Sequence, residues 1–435
     1  MSSLECSPRS SSPVDYPSTP ASEADWSYDV DGINDILFTS RQNQYVLITG
    51  GLGFIGSHTS VQIMKEGYNV IIVDDNSNSR LDALDGILTI ADLYYEKLTH
   101  RKCPKIELHS ISYRNTPAMR AIFDSHSYTS PGGQIKRSNI VGVIHFAAYK
   151  AVEESIRKPL QYYQNNINGL VDFLELLDEV SVKTVIFSSS AAVYGSLAGS
   201  LNGPLREENC VQQCEEGREQ ARCEDLPQSG CKSITNPYGR SKFFGEAILS
   251  DLVLSDPSWN IVALRYFNPV GCDASGLLGE APRGLPSNLL PVVTQVVTSQ
   301  REQVKIFGGD WDTIDGSAIR DFIHVTDLAR GHISALSACR SGRISGGYRT
   351  YNLGVGKGNT VLEVVRAMEA ASGCTIPYEI VDKRAGDVER SVADVDRSRT
   401  ELGWETKETL ESACRDICNR LQTTTPELLR RNATF

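Results

Sequence analysis

An α/β fold, with a doubly wound parallel sheet and a smaller C-terminal domain, is what this sequence predicts. Three observations carry that expectation. Short β-branched runs alternate with helical patterns, a glycine-rich stretch joins the first run to the first helical pattern, and 435 residues exceed one domain of roughly 100 to 200 residues.

The runs lie at 45–49, 69–73, 140–146, 184–188 and 260–264. Each is nearly continuous in apolar residues, as expected of strands buried on both faces. Amphipathic stretches near 54–66, 162–178 and 238–254 separate them. Right-handed crossovers then place helices on both sides of one parallel sheet.

Composition sets the organisation around this core. Residues 1–44 are rich in Ser, Pro and Asp, lack apolar periodicity and are expected to form a disordered tail. Ser7-Pro8, Ser12-Pro13 and Thr19-Pro20 within it read as phosphorylation sites or as plain solvated extension. The first domain is expected over 45–268, with an inserted surface loop at 197–235 that holds Cys210, Cys214, Cys223 and Cys231. Their spacing is no recognised zinc pattern, so surface thiols are expected and no metal. Residues 269–424, broken by Pro282, Pro286 and Pro291, are expected to build mainly the smaller substrate-binding domain, part of it returning to pack on the first; 425–435 read as a second tail.

A formal charge of -11 disfavours nucleic acid as a partner, since a phosphate backbone is bound by a basic surface. No apolar run approaches the roughly 20 residues of a membrane span. The first residues lack a secretory pattern, and an odd count of 11 cysteines fits reduced thiols, so a cytoplasmic protein is expected.

The first chemical signal is Thr49-Gly50-Gly51-Leu52-Gly53-Phe54-Ile55-Gly56. Gly51, Gly53 and Gly56 satisfy GxGxxG, while Gly50, Gly53 and Gly56 satisfy GxxGxxG. Between a strand and a helix such glycines allow a tight turn and let backbone amides approach a pyrophosphate. The next strand ends at Asp74, at the distance where a carboxylate meets an adenosine ribose. Its charge would repel a 2′-phosphate, so NAD is predicted over NADP, on a Rossmann-like sheet.

The second signal is Asn236-Pro237-Tyr238-Gly239-Arg240-Ser241-Lys242. Asn236 can cap a helix and Pro237 suits its first turn, which puts Tyr238 and Lys242 on one face. A phenol titrating near ~10 needs a cation beside it to serve as a base, and Lys242 is expected to supply it. Ser188, Ser189 and Ser190 end a strand on the carboxyl edge, where ligands bind in such sheets. Spacing does not decide which serine matters.

Together these motifs make the chain from Tyr45 to about Trp404 resemble the extended short-chain dehydrogenase/reductase family, in its UDP-sugar 4-epimerase branch. Further matching text includes His145-Phe146-Ala147-Ala148-Tyr149-Lys150, Phe187-Ser188-Ser189-Ser190-Ala191-Ala192-Val193-Tyr194-Gly195, Arg265-Tyr266-Phe267-Asn268-Pro269-Val270-Gly271, Ile319-Arg320-Asp321-Phe322-Ile323-His324-Val325 and Tyr351-Asn352-Leu353-Gly354. The resemblance implies reversible 4-epimerisation of UDP-glucose and UDP-galactose through a 4-keto sugar, with NAD kept bound, in a homodimer. It implies Tyr238 as acid and base at the sugar O4, Ser190 as a hydrogen-bond partner of O4, and Lys242 on the nicotinamide ribose, lowering the phenol pKa. Phe54, Ile55, Asp74, Phe146, Lys150, Asn165 and Phe267 would contact NAD beside the glycines. Asn268, Asn288, Phe307, Arg320, Arg384 and Asp387 would line the UDP-sugar site, the two arginines facing the diphosphate.

The departures are also informative. Sugar dehydratases of this family carry an Asp-Glu pair where this chain has Ala191 and Ala192, so dehydration is disfavoured. An NAD-dependent uronate epimerase or decarboxylase stands as the alternative enzyme, and a non-catalytic NAD or sugar-nucleotide sensor as the alternative class. The third strand lacks the usual aspartate for adenine; Ile106 to Arg114 offers Glu107, Ser110 and Ser112. The position that gates sugar size falls on Ser391, whose small side chain predicts turnover of the 2-acetamido sugars UDP-GlcNAc and UDP-GalNAc as well.

Overall fold

The first strand, Tyr45–Thr49, sends alternate side chains to opposite faces. Val46 and Ile48 join one buried cluster, with the helices Phe54–Lys65, Asp82–Tyr95 and Val325–Arg340. Leu47 joins another, with Thr116–Ser125, Gly169–Glu179 and Pro237–Ser255. Two covered faces explain why the strand reads as an unbroken apolar run. The computed structural model describes residues 41–424 except 99, 130–135, 200–202, 211–232, 285, 287, 345 and 385.

Seven strands form the main sheet, all parallel. Their order is Gly347–Leu353, Asn260–Tyr266, Thr184–Ser190, Ile140–His145, Tyr45–Thr49, Asn69–Val73 and Ile106–His109. In chain order the strands run outward one way from the first to the third, then outward the other way from the fourth to the seventh. The reversal lies between the first and fourth strands, and such a switch point opens a crevice at the carboxyl edge.

A third cluster holds the smaller C-terminal unit. Leu290, Val293, Val364, Met368 and Ile417 meet there, from the helices Leu289–Val297, Val361–Ser372 and Leu410–Thr424. Two small sheets flank it. Val304–Phe307 pairs parallel with Tyr378–Val381, and Ile319–His324 is joined by Asn268–Val270, Gly358–Thr360 and Arg390–Ser391. Among the described residues no helix is long and apolar enough to cross a membrane.

Local structure departs from the sequence expectations in three places. The helix expected over 162–178 is interrupted by a π-helical turn at Gln164–Asn168, between Pro159–Tyr163 and Gly169–Glu179. Residues 41–44 of the expected tail are tied to the body, Arg41 bonding Glu66 at 2.8 Å and lying over the Tyr68 ring. The segment expected as a surface loop starts inside the protein. Leu205 exchanges backbone bonds with Val392 and Asp394, and Cys210 is buried, not a surface thiol. Cys214, Cys223, Cys231, residues 1–40 and residues 425–435 lie outside the described residues.

Candidate active site

The glycine turn sits at the switch point. Gly50 has φ +73, and a Cβ there would stand 2.9 Å from the Ala147 amide nitrogen. A Cβ on Gly56 would fall 2.3 Å from the Gly50 carbonyl oxygen. Only glycine fits at both positions, and their tight packing opens the start of helix Phe54–Lys65. Gly53 caps that helix with no side-chain bond, which leaves its first amides directed at the crevice. Phe54 and Ile55 occupy this first turn, half-buried.

Asp74 closes the second strand with its carboxylate turned into the turn. Oδ2 accepts from the Leu52 amide at 3.0 Å; Oδ1 accepts from the Asn76 amide at 3.0 Å and the Ser79 hydroxyl at 2.6 Å. Near it, Asn76 Oδ1 and His109 Nε2 are buried with no hydrogen-bond partner. Buried orphans of this kind are rare unless a ligand completes them. A dinucleotide therefore fits this edge. Of the residues considered for adenine, Glu107 is turned away onto His126 at 3.3 Å, and Ser112 Oγ accepts from the Arg114 amide.

The structure sorts the three serines that spacing left unresolved. Ser190 lies against the Tyr238 phenol and Ser188 against the Tyr266 phenol, each favouring the ionised form, while the Ser189 hydroxyl donates to Glu246. Asn236 Oδ1 caps the next helix by accepting from the Gly239 amide at 2.8 Å, with Pro237 in the first turn. Tyr238 thereby reaches the carboxyl edge of the fifth strand. One turn on, Lys242 Nζ donates to the Ser188 carbonyl at 2.5 Å and lies 4.9 Å from the centre of the Phe187 ring.

The electrostatics correct one expectation. Lys242 was expected to lower the phenol pKa, yet burial raises Tyr238, opposed by Ser190, and no lysine contributes to its shift. Burial also lowers Lys242 to about 7, with Glu246 pulling the other way. Desolvation disfavours both charged forms, and the ammonium donates to a carbonyl rather than to the phenol.

Further cofactor candidates surround this pair. Phe146 lies 4.8 Å from His332, and Phe267 is buried beside Tyr194. Lys150 Nζ is 3.5 Å from Glu280 Oε1. The Asn165 side chain bonds Asn166 at 3.0 Å, and its carbonyl accepts from Tyr113. Asn166 is a residue the sequence reasoning missed. It bridges both backbone polar groups of Tyr149 to the Ser241 hydroxyl on the Tyr238 helix. Glu246 was missed too, although its place four residues after Lys242 puts it on the same helical face.

On the C-terminal side five predicted residues converge. Arg384 stacks over Phe307 at 4.3 Å and bonds Asp387 at 3.0 Å, while Arg320 lies 3.6 Å from the same carboxylate. Ser391 pairs with Arg320 across the small sheet. Asn268 is adjacent, donating to the Asp321 carbonyl at 2.9 Å. Two guanidinium groups share one carboxylate, so this corner keeps a net positive charge suited to a diphosphate. Asn288 stands apart and donates to Glu280 at 3.0 Å.

A glycine-turn crevice facing a Tyr/Lys pair defines the class, an enzyme of the dinucleotide-binding short-chain dehydrogenase/reductase type. Within it, the chain belongs to the NAD dependent epimerase/dehydratase family, whose model matches residues 46–354. It is 44% identical over 371 residues to a UDP-glucose 4-epimerase of Dictyostelium discoideum, covering 85% of this chain and 94% of that protein. A human UDP-glucose 4-epimerase is 41% identical over 372 residues, 86% and 94% of the two chains. The fold is also similar to a crystal structure of UDP-glucose 4-epimerase from Bifidobacterium longum in complex with NAD+ and UDP. There the TM-score is 0.72 with 39% identity, covering 88% of this chain and 99% of that one.

Proposed function

We propose that this protein interconverts UDP-glucose and UDP-galactose by inverting the configuration at C4 of the sugar. The observation that carries this reading is the Tyr238 phenol, on the Asn236-capped helix next to Ser190 at the carboxyl edge of the sheet that holds the glycine turn. NAD, when bound, supplies the acceptor and donor for the C4 hydrogen and, oxidised, the positive charge that the phenol lacks.

The chain's own groups do the rest. Tyr238 takes the O4 proton and returns it to the same oxygen, with Ser190 orienting both. Lys242 fixes the end of the fifth strand through the Ser188 carbonyl and would hold the nicotinamide ribose. Gly50, Gly53, Gly56, Phe54, Ile55 and Asp74 would hold the pyrophosphate and adenosine, with Phe146, Lys150, Asn165 and Phe267 toward the nicotinamide. Phe307 offers a face to uracil, and Arg320 and Arg384 take the diphosphate. Anchoring the nucleotide and leaving the hexose weakly held lets the keto sugar present its other face. Ala191 and Ala192 bear only methyl groups and transfer no protons, which disfavours loss of water.

Ser391, paired with Arg320, carries a small side chain, and we extend the reading to the 2-acetamido sugars on that basis. We also propose a homodimer. Val152, Ile156, Leu160 and Phe244 form an exposed apolar strip on neighbouring helices, Leu160 being 81% exposed. Sedimentation of the wild type as a dimer and of Leu160→Glu as a monomer would support this; a monomeric wild type would refute the homodimer, and a dimeric variant the strip as its interface.

The deciding experiment is incubation with UDP-galactose. Formation of UDP-glucose to an equilibrium ratio, with no net consumption of NAD, is expected. A 4-keto-6-deoxy product would instead indicate a dehydratase, carbon dioxide from UDP-glucuronate a decarboxylase, and binding without turnover a sensor.

A further inference from the structure

We propose that Glu280 and Arg283 pin a short strap across the dinucleotide crevice and so set how slowly bound NAD leaves. This rests on the NAD-binding reading above. Arg283 Nε donates to the Ser79 carbonyl at 3.0 Å, and its amide to Asn78 Oδ1 at 3.3 Å. Ser79 in turn donates to Asp74, so this anchor is the turn that follows the second strand. Glu280 meets Lys150, in the turn that follows the fourth strand.

The sheet order makes these two anchors meaningful. The first strand lies between the second and the fourth, so a chain tied to both flanking turns passes over its carboxyl end. That end is the glycine turn. Two strand intervals span about 10 Å, and the three residue steps from Glu280 to Arg283 reach about 10 Å when extended. Pro282 favours extension at Ala281. The strap's base is fixed as well. Arg420 Nη1 donates to the Gly276 and Leu277 carbonyls at 3.0 and 2.9 Å, and Cys272 bridges to Gly279.

Glu280 has a second partner, since Oε1 also accepts from Asn288, at the start of helix Leu289–Val297 in the C-terminal unit, at 3.0 Å. One carboxylate thus links the strap to the turn after the fourth strand and to the C-terminal unit. Because hydrogen removed from C4 has to be restored in the same turnover, retention of the dinucleotide is a requirement of the reaction. Glu280 and Arg283 are positioning residues for that retention.

The test compares wild type with Glu280→Gln, Arg283→Met and the double variant. NAD content after gel filtration is measured by acid release, and the dissociation rate by exchange against labelled NAD. At least tenfold faster release from the double variant is expected, with added NAD restoring turnover in Arg283→Met. UDP affinity stays within twofold, because the introduced amide oxygen still accepts from Asn288. Arg283 is exposed, so its loss leaves the core intact and decides the matter if Glu280→Gln misfolds. Release within twofold of wild type in every folded variant overturns the strap alone. A wild type that carries no NAD and takes none up overturns the functional reading and the strap with it.

Discussion

Arg265 grips Glu246 with two hydrogen bonds, Nε to Oε1 at 3.0 Å and Nη2 to Oε2 at 2.7 Å, and neither side chain is exposed to solvent. The other guanidinium protons go to the Tyr194 hydroxyl and the Glu207 and Cys210 carbonyls. All five donors are used, and the Ser189 hydroxyl adds a third bond to the carboxylate. A buried pair this well satisfied is tolerated, but breaking it leaves one charge stranded. Arg265→Met is expected to cost about 3 to 5 kcal/mol of unfolding free energy. Joint replacement of Arg265 and Glu246 by methionine should recover much of that in a urea denaturation cycle. Equal losses in the single and double variants would refute the coupling.

Removing the Tyr238 hydroxyl isolates proton transfer from binding. Tyr238→Phe is expected to lower kcat by about 10²- to 10⁴-fold, the usual contribution of a positioned acid and base. Titration calorimetry should find UDP affinity unchanged, since the uridine and diphosphate contacts lie on other elements. Near-wild-type turnover would exclude the phenol as the acid and base.

Acid should unfold the ligand-free protein early. Burial holds His58 at about 4, His145 at about 3 and His332 at about 4, against an ordinary 6.5. His58 also faces Asp273, His324 and Arg420, and His145 faces Lys242. Their pKa values are depressed in the folded state, so the unfolded chain takes up more protons below 6.5 and stability falls as pH falls. Each histidine removes about 1.4 kcal/mol per pH unit in that window. Three together approach a typical domain's whole stability by about pH 5. Lys242, held at about 7, acts with the same sign between 7 and 10.5. Urea midpoints should therefore climb from pH 5 toward the alkaline side; a flat profile would contradict neutral burial of these groups.

Ser391 offers a test of sugar range. Wild type is expected to turn over UDP-GlcNAc, and Ser391→Tyr to lower kcat/KM for it at least tenfold while UDP-glucose changes by less than about threefold, a discrimination of the size pocket volume allows. No turnover of acetamido sugars by wild type, with hexose activity intact, would dispose of the open-pocket account.

The parts legible in the sequence were those written in local spacing. The glycine turn, Asp74 after the second strand, and Tyr238 with Lys242 on one capped helix each depend on a few adjacent residues, and the structure places them around one crevice. What was illegible depends on partners distant in the chain or on burial. Lys150 and Glu280 meet across the domains, and nothing beside either residue signals the other. The Cys210 segment lacks periodicity because it is held by the Arg265 side chain and backbone bonds to 392–394, not by an amphipathic face. The lowered lysine pKa followed from desolvation, which residue spacing does not encode. The π turn at Gln164–Asn168 has no compositional mark, yet it carries Asn165 and Asn166.

The seventh strand, Gly347–Leu353, pairs with Asn260–Tyr266 only after residues 267–346 have been made. On the ribosome, the nascent sheet carries a bare apolar rim at Leu264 and Tyr266 until that late segment emerges. Such a rim invites pairing with other unfinished chains. Premature termination before residue 347 would therefore yield aggregates rather than a smaller nucleotide-binding protein.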